Sequence, residues 1–491
     1  MKLSELFSDI PNYQTTNAIE NIEIDAIEMD SQKVKSGSLF VCISGFTVDG
    51  HNYVEQAITN GAVAIVAEKN IKTSVPVVIV SDTSRILAMI SAKFYNHPTA
   101  KIPLIGVTGT NGKTTVTYLL ETIYNEYQMK TGVIGTIQMK IDKKTYPVSN
   151  TTPDALSLQK SFHLMLEQGV ELAIMEVSSH ALDLGRVFGC DFDIAVFTNL
   201  TQDHLDYHKN IDDYLHAKSL LFAQLGNTYD DRDQKFAIIN GDDPSSDLIK
   251  RSTAQHVITY ACKNEAQIMA ADITINANGT SFKLITPDES IKINSKLIGM
   301  FNVYNMLAAS AAAIAGKIPL NCIKKALESI KGVSGRFESI SQDQSFAVIV
   351  DYAHTPDSLK NVLQTIKEFA KGKIYVIVGC GGDRDRSKRP LMAAIALRYA
   401  DHALFTSDNP RTENPESILA DMTTGLEDFK NKYEVTSDRK RAIYQAINRA
   451  KKDDIILIAG KGHETYQQIG NIKYDFDDRL IAKEAIKAKE K

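Results

Sequence analysis

Cysteine pairs, long apolar runs and an excess of either charge are missing from this chain, and each absence removes a class of protein. Five cysteines, Cys42, Cys190, Cys262, Cys322 and Cys380, are scattered through 491 residues and never form a Cys-x-x-Cys pair. An odd, dispersed set argues against a disulfide framework or a thiolate zinc site and predicts a reducing compartment. The 55 Lys and Arg stand against 60 Asp and Glu. With a net charge of -5, no global basic field exists to hold nucleic acid or an anionic membrane. Any anion binding is therefore local. The longest apolar run, around 306–315, is rich in small residues and well short of the ~20 residues of a membrane span. Glu5 and Asp9 interrupt the stretch where a signal peptide requires apolar residues, so the chain reads as cytoplasmic. Tryptophan is also absent, which carries no functional information. No repeat of solenoid period and no low-complexity segment is present.

What is there is patterning. At ~100–200 residues per domain, the length predicts about three globular domains. Residues 1–98 alternate short apolar runs (38–43, 62–67, 75–80) with polar turns, and end in a helix-like stretch before Asn96-His97-Pro98. That pattern predicts a small α/β domain followed by a proline-containing linker. A second α/β segment, 99–332, has strand-like runs at 171–177, 194–200 and 236–240. A third, 333–491, has them at 347–351, 374–379, 402–406 and 455–459. Each of these last four runs is almost continuously apolar, ends in Gly, Asp or Asn, and leads into a helical pattern. Such runs predict a parallel sheet buried on both faces. Ligands gather outside the carboxyl ends of these strands, so the polar residues that follow are the candidates.

The strongest local signal is the run 104–114, LIGVTGTNGKT. An apolar strand enters a Gly-rich turn, and the turn enters a helix whose Val116, Leu119, Leu120, Ile123 and Tyr127 recur at helical spacing. Backbone N–H groups of Gly109, Thr110, Asn111, Gly112 and Lys113 can wrap phosphate oxygens at the helix N-terminus. Lys113 can reach the terminal phosphates, and the Thr114 hydroxyl can ligate Mg²⁺. The loop departs from the strict phosphate-loop pattern at one position, where Val107 stands in place of glycine.

Downstream, Glu176 falls near the end of a predicted strand, where a phosphate-loop enzyme needs a carboxylate for its metal. His204 and His208 are four residues apart, but the Glu of a His-Glu-x-x-His zinc helix is missing. Lys218 has Tyr214, Leu215, Leu221 and Phe222 as its helical neighbours, so it projects from an apolar face. Two readings stand side by side for it: a lysine that snorkels to water, or one whose lowered pKa leaves a reactive neutral amine.

In the third segment, four loops follow the four strands. They carry Asp351-Tyr-Ala-His354, Gly379-Cys-Gly-Gly-Asp-Arg384, Asp408-Asn409-Pro410-Arg411 and Gly460-Lys461-Gly-His-Glu464. The glycines do not fit the G-x-G-x-x-G dinucleotide pattern. Arg384 and Arg411 can each hold a carboxylate bidentately, and Glu464 can hold an ammonium, which together describe a pocket for an amino acid.

Ten ordered blocks, TGTNGKT, EVSSHALDLGR, TNLTQDHLDYH, HAKSLLF, GMFNVYN, GRFE, DYAHTPDSL, GCGGDRDRSKRP, DNPR and AGKGHE, span nearly the whole chain. In this order they resemble the Mur ligases of peptidoglycan synthesis, most nearly the members that add meso-diaminopimelate. The resemblance implies three domains: a small α/β uridine-nucleotide domain (1–98), a central phosphate-loop ATPase with a mostly parallel sheet (99–332) and a C-terminal Rossmann-like amino-acid domain (333–491). It also implies ATP and Mg²⁺, and synthesis of an amide from UDP-N-acetylmuramoyl-L-Ala-D-Glu (UDP-MurNAc-dipeptide) by way of an acyl phosphate. The expected partners are small molecules, without nucleic acid or membrane, and a monomer is favoured.

Carried over residue by residue, the resemblance puts Gly109 to Thr115 (with Thr110, Asn111, Gly112, Lys113 and Thr114), Asn302, Arg336 and Asp351 on ATP. Thr114, Glu176, His204 and a carbamylated Lys218 fall on metal. Ser31, Phe46, Thr47, Val48, Asn150, Thr151, Thr152, Ser178 and Arg186 fall on the UDP-MurNAc-dipeptide. Some relatives carry Gln where this chain has Leu184, which removes one substrate hydrogen bond. Arg384, Asp408, Asn409, Pro410, Arg411, Gly460 and Glu464 fall on diaminopimelate. Arg411 bears on the choice of amino acid, because the second carboxylate of diaminopimelate pairs with it and the bare ammonium of lysine is repelled. Three alternatives remain: a lysine-adding relative, an enzyme like folylpolyglutamate synthetase, and, from another class, a phosphate-loop ATPase or GTPase switch.

Overall fold

Three large sheets carry most of the chain, each built where the apolar runs are densest. The computed structural model describes residues 1–45, 48–148, 150–227, 234–276 and 279–490. Phe46 and Thr47 therefore lie outside the described residues.

The first sheet has five strands in the order Gln14–Thr15, Val77–Ile79, Ala62–Ala67, Ser38–Val41, Ala26–Glu28. All neighbours run parallel except the edge strand Gln14–Thr15. Its inner strands bury nearly every residue because helices cover both faces.

The central sheet has eleven strands, with Leu104–Thr108 flanked by Ile194–Phe197 on one side and Leu172–Glu176 on the other. All three strands are fully buried and parallel, so their carboxyl ends deliver Thr108, Phe197 and Glu176 to one edge. The helices Lys113–Glu126 and Met300–Ala315 share one buried cluster on this sheet. Ala308, Ala309, Ala311, Ala312 and Ala313 are fully buried there, and side chains this small let a helix approach its neighbours closely. The longest apolar run of the sequence is thus the second half of a core helix. Among the described residues no helix is long and apolar enough to cross a membrane.

Three antiparallel strands, Ile268–Asn276, Gly279–Ile285 and Ser290–Ser295, extend this sheet beyond the parallel part. They were not anticipated from sequence. Residues 268–276 pass from alternating buried and half-buried positions to alternating half-buried and exposed ones, with Asp272, Thr274 and Asn276 in the outer half, a half-solvated strand without a long continuous apolar run.

The third sheet has six strands, in the order Glu338–Ser339, Ala347–Asp351, Ile455–Ala459, Ile374–Val378, His402–Phe405, Tyr433–Val435. All pairs are parallel except Glu338–Ser339 with its neighbour. The four apolar runs read from sequence become the four central strands. A hairpin, Tyr466–Ile469 with Ile472–Asp475, stands apart as its own two-stranded sheet. The final helix, Asp478–Lys489, is fixed by a buried ion pair: Arg439 donates from Nε and Nη2 to the Asp478 carboxylate at 2.8 and 2.7 Å, with both side chains fully buried.

Candidate active site

The phosphate loop begins later than the strict pattern requires. Val107 is an interior residue of the strand Leu104–Thr108 and is fully buried, so an apolar side chain suits it better than glycine. Gly109 and Gly112 have φ of 145° and 91°. A Cβ at either would strike a neighbour, the Thr198 hydroxyl for Gly109 and the Asn305 amide oxygen for Gly112. Only glycine combines that backbone with that space.

The loop is clamped from the adjacent strand end. Thr110 N–H donates to the Asn199 carbonyl at 2.8 Å, and Asn111 N–H donates to Asn199 Oδ1 at 3.0 Å. In return, Thr198 Oγ1 and Asn199 Nδ2 donate to the Asn111 carbonyl at 2.6 and 3.1 Å. The block TNLTQDH contains both residues, but neither was singled out from sequence, because their partners lie some 88 positions away.

Two lysines converge on this loop. Lys113 Nζ donates to the carbonyls of Gly109 and Thr110, each at 2.9 Å. Lys218 Nζ donates to the same Gly109 carbonyl at 2.9 Å and lies 4.3 Å from the centre of the Tyr214 ring. Lys218 is only 1% exposed, so it does not snorkel. Burial, and then the neighbouring Lys113, hold its pKa well below the usual lysine range. Burial also lowers Lys113, against the pull of Glu176 and Asp203.

A cavity of about 350 Å³ opens over the loop. Its walls include Lys113, Thr114, Glu176, His204, Asn150, Thr151, Thr152, Ser178, Arg186, Arg336 and Arg384, which come from all four groups of candidate residues. Thr114 Oγ1 donates to Glu176 Oε2 at 3.0 Å, and the Thr136 hydroxyl donates to the same oxygen at 3.0 Å. Thr152 Oγ1 donates to the Glu176 carbonyl at 2.9 Å, and Arg186 Nη1 donates to the Thr152 carbonyl at 3.0 Å. Opposite them, His204 adopts a left-handed backbone with φ of 55° and faces Asp203, whose carboxylate lies 3.5 Å from His204 Nε2 and 3.9 Å from His354 Nε2. Burial, outweighing Asp203, pushes the His204 pKa down and keeps the ring neutral.

The oxygens of Thr114 and Glu176 fit Mg²⁺, which takes one or two carboxylates and fills its remaining positions with phosphate oxygens and water. The described residues contain no cluster of three or more His, Cys, Asp or Glu placed for a metal. Magnesium prefers oxygen ligands, so the amine of Lys218 does not suit it.

A second cavity, of about 650 Å³, adjoins the first through Asn111, Gly112, Thr115, Arg336 and Tyr352. Asp351 and Asn305 line it. Asn302 does not; it is buried, donates to the Ile298 carbonyl, and accepts from Asn305 Nδ2 at 3.2 Å. Arg336 lies with its guanidinium 4.4 Å from the Tyr352 ring centre and donates to Thr114 Oγ1 at 3.2 Å.

The remaining candidates sit further out. Asp408, Asn409, Pro410 and Gly460 are buried and Glu464 is half-buried, while Arg384, which reaches the smaller cavity, is otherwise exposed. Arg411 is half-buried rather than fully enclosed, has φ of 52°, and donates from Nη1 to the Gly382 carbonyl at 2.7 Å. Ser31 is buried in the first unit and donates to Gln56 Oε1 at 2.9 Å, while Val48 is exposed; neither lines the two cavities.

A phosphate loop at the heart of a mostly parallel sheet, facing a carboxylate and several cations, defines a phosphate-loop nucleotide enzyme. Comparison with known proteins makes this specific. Residues 23–95 match the family model described as Mur ligase family, catalytic domain; residues 107–313 match Mur ligase middle domain; residues 335–462 match Mur ligase, glutamate ligase domain. A relative from Oceanobacillus iheyensis is 65% identical over 100% of both chains. One from Bacillus cereus is 57% identical over 99% of this chain and 98% of its own. Both are named UDP-N-acetylmuramoyl-L-alanyl-D-glutamate--2,6-diaminopimelate ligase. A solved structure of a protein so named is 34% identical, covers 100% of this chain and 99% of that one, and superposes with a TM-score of 0.71. A MurF ligase from Thermotoga maritima, solved in complex with ADP, shares the fold at 17% identity, with 95% and 97% of the two chains covered and a TM-score of 0.64. The chain belongs to the Mur ligase family. It is an ATP-dependent ligase that forms amide bonds.

Proposed function

We propose that this enzyme adds meso-diaminopimelate to the D-Glu side-chain carboxylate of UDP-MurNAc-L-Ala-D-Glu, in the cytoplasm, with ATP and Mg²⁺. The carrying observation is the smaller cavity, where phosphate-loop residues, Glu176, the Thr152–Ser178–Arg186 group and Arg384 line one space. A carboxylate is a poor electrophile. Its oxygen attacks the γ-phosphorus of ATP and ADP leaves; the amine then attacks the acyl carbon, and phosphate leaves in its turn. Both steps gather negative charge that fixed cations stabilise.

In this reading Lys113 and Arg336 hold the transferring phosphoryl group, and Asp351 and Asn305 border the nucleoside end of ATP. Asn302 acts on ATP through Asn305. Thr152, Ser178 and Arg186 hold the dipeptide, with Asn150 and Thr151 at the cavity rim. Ser31, Thr47 and Val48, with Phe46, serve the uridine end. Thr114, Glu176, His204 and carbamylated Lys218 would hold Mg²⁺, which supplies charge neutralisation at the phosphates. Burial lowers the Lys218 pKa and so favours its neutral amine, the form that adds CO₂, releasing one proton and becoming an anionic carbamate. Residues 1–98, 99–332 and 333–491 accordingly act as uridine-nucleotide, ATP and amino-acid units of a monomer.

Arg411, with Arg384, Asp408, Asn409, Pro410, Gly460 and Glu464, receives the far carboxylate and ammonium of diaminopimelate. The direct test is phosphate release from ATP in the presence of UDP-MurNAc-L-Ala-D-Glu, with meso-diaminopimelate, L-lysine or no amino acid. Release that requires diaminopimelate is expected. Release with lysine instead would keep the ligase and overturn the substrate, and release that needs no acceptor would indicate a hydrolytic switch.

A further inference from the structure

Lys461 is fully buried, yet nothing in the proposed chemistry uses it. Its Nζ donates to Asn409 Oδ1 at 3.0 Å and to Glu464 Oε2 at 2.9 Å. Asn409 closes the triangle by donating from Nδ2 to the same Glu464 oxygen at 2.8 Å. A fourth group, the Gln468 N–H, also donates to Asn409 Oδ1, at 2.9 Å.

An ammonium and a backbone N–H have no lone pair to offer, and an ionised carboxylate has no proton. The Asn409 amide can therefore adopt only one of its two orientations, with oxygen toward Lys461 and Gln468 and nitrogen toward Glu464. Among the described residues both hydrogen bonds to Glu464 fall on Oε2, leaving Oε1 for a cation. Lys461 thus compels Asn409 to be an N–H donor and fixes the rotamer of Glu464. Those are the polarities needed to receive a carboxylate and an ammonium at one end of an amino acid.

We infer that Lys461 is a positioning residue for the diaminopimelate site, acting through Asn409 and Glu464 and touching no substrate. The inference rests on the amino-acid site proposed above. The neighbouring hairpin shares the task. Gln467 Nε2 donates to the Asp408 carbonyl at 2.8 Å, and Arg411 N–H donates to the Gln468 carbonyl at 3.1 Å, so residues 408–411 are held from two sides.

The experiment compares wild type with Lys461→Met, which keeps the apolar stem and removes the donor and the charge. Full-length enzyme is assayed by phosphate release while diaminopimelate, ATP and UDP-MurNAc-dipeptide are each varied. The expected result is a KM for diaminopimelate raised at least tenfold, kcat lowered less than threefold, and both other KM values within twofold of wild type. Lys461→Gln, which restores one donor to Asn409 without charge, should recover part of that loss and serves equally if the Met variant does not fold.

A double-mutant cycle with Asn409→Ala separates positioning from general damage. If Lys461 acts through Asn409, the second substitution costs far less once the first is made. Additive losses, or equal rises in all three KM values, would overturn the inference. Wild-type enzyme that releases no phosphate with diaminopimelate would overturn instead the substrate reading on which it rests.

Discussion

Lys218 and Lys461 are 1% and 0% exposed, and their surroundings differ in one respect. Lys461 is paired with the Glu464 carboxylate, whereas among the described residues no carboxylate pairs with Lys218. Removing an ammonium from water costs several kcal/mol unless a partner repays it or the proton is lost. The amino-acid loops take the first route and hold a rigid, charged scaffold. At the phosphate loop, burial and the neighbouring Lys113, whose Nζ reaches the same Gly109 carbonyl, push Lys218 toward the second. One buried lysine therefore keeps a carboxylate partner while the other has its pKa lowered by burial, and burial alone does not distinguish them.

The sharpest way to break this contrast is Lys218→Ala. If the neutral amine carries a carbamate, phosphate release should fall about a hundredfold to a thousandfold, the scale of losing one group that stabilises the transition state. Added acetate or formate should restore part of the rate by supplying the missing carboxylate. An unchanged rate would return Lys218 to a packing role. Incubation with ¹³C-labelled CO₂ should give a carbamate carbon resonance that is absent in the variant.

Next in size is a third buried cation, Arg439, whose partner Asp478 is equally enclosed. Asp478→Ala leaves that guanidinium unpaired and should lower stability by about 3–5 kcal/mol, measured by urea unfolding. A change below about 1 kcal/mol would show that paired and unpaired burial differ less here than the two lysines indicate.

Arg411 extends the comparison to an incompletely buried cation. Arg411→Ala should reduce kcat/KM for diaminopimelate by about thirtyfold or more, consistent with the 2–5 kcal/mol lost on truncating a hydrogen-bonded charge partner, and should abolish preference over lysine. Unchanged discrimination would refute the assignment of Arg411 to the far carboxylate.

The smallest effect concerns an acid. Burial pushes Asp351 up to about 6, against Arg336 and the N–H groups of Phe337 and Ala353. The folded chain then keeps a proton that the unfolded chain releases near pH 4, so this residue makes stability fall as pH rises from about 4 to 6 and stay level above. Asp351→Asn should remove that slope, worth on the order of 2 kcal/mol between urea unfolding at pH 4.5 and at pH 7. Equal slopes in both proteins would show that the carboxyl is ionised throughout.

The two regions also differ in how far they can be read without coordinates. The phosphate loop is one contiguous stretch whose strand, turn and helix are dictated by neighbours in sequence, so Gly109 to Thr115 were legible as a unit. Glu176 was legible too, because a strand places its last residue at the sheet edge. Asn199, Asn305 and Lys461 stood within recognisable blocks but received no role, since each acts on a residue 52 or more positions away. Asn302 was legible as a nucleotide residue by resemblance, yet it reaches the nucleotide cavity only through Asn305.

Sequence alone determined the three α/β units, the parallel strands, the phosphate loop and the chemical types gathered after each strand, because periodicity and turn chemistry are local properties. Tertiary structure decided which buried lysine is paired with a carboxylate, which one meets none among the described residues, and which way the Asn409 amide faces. Those outcomes depend on desolvation and on hydrogen-bond geometry among groups far apart in the chain, and both exist only once the sheets have packed.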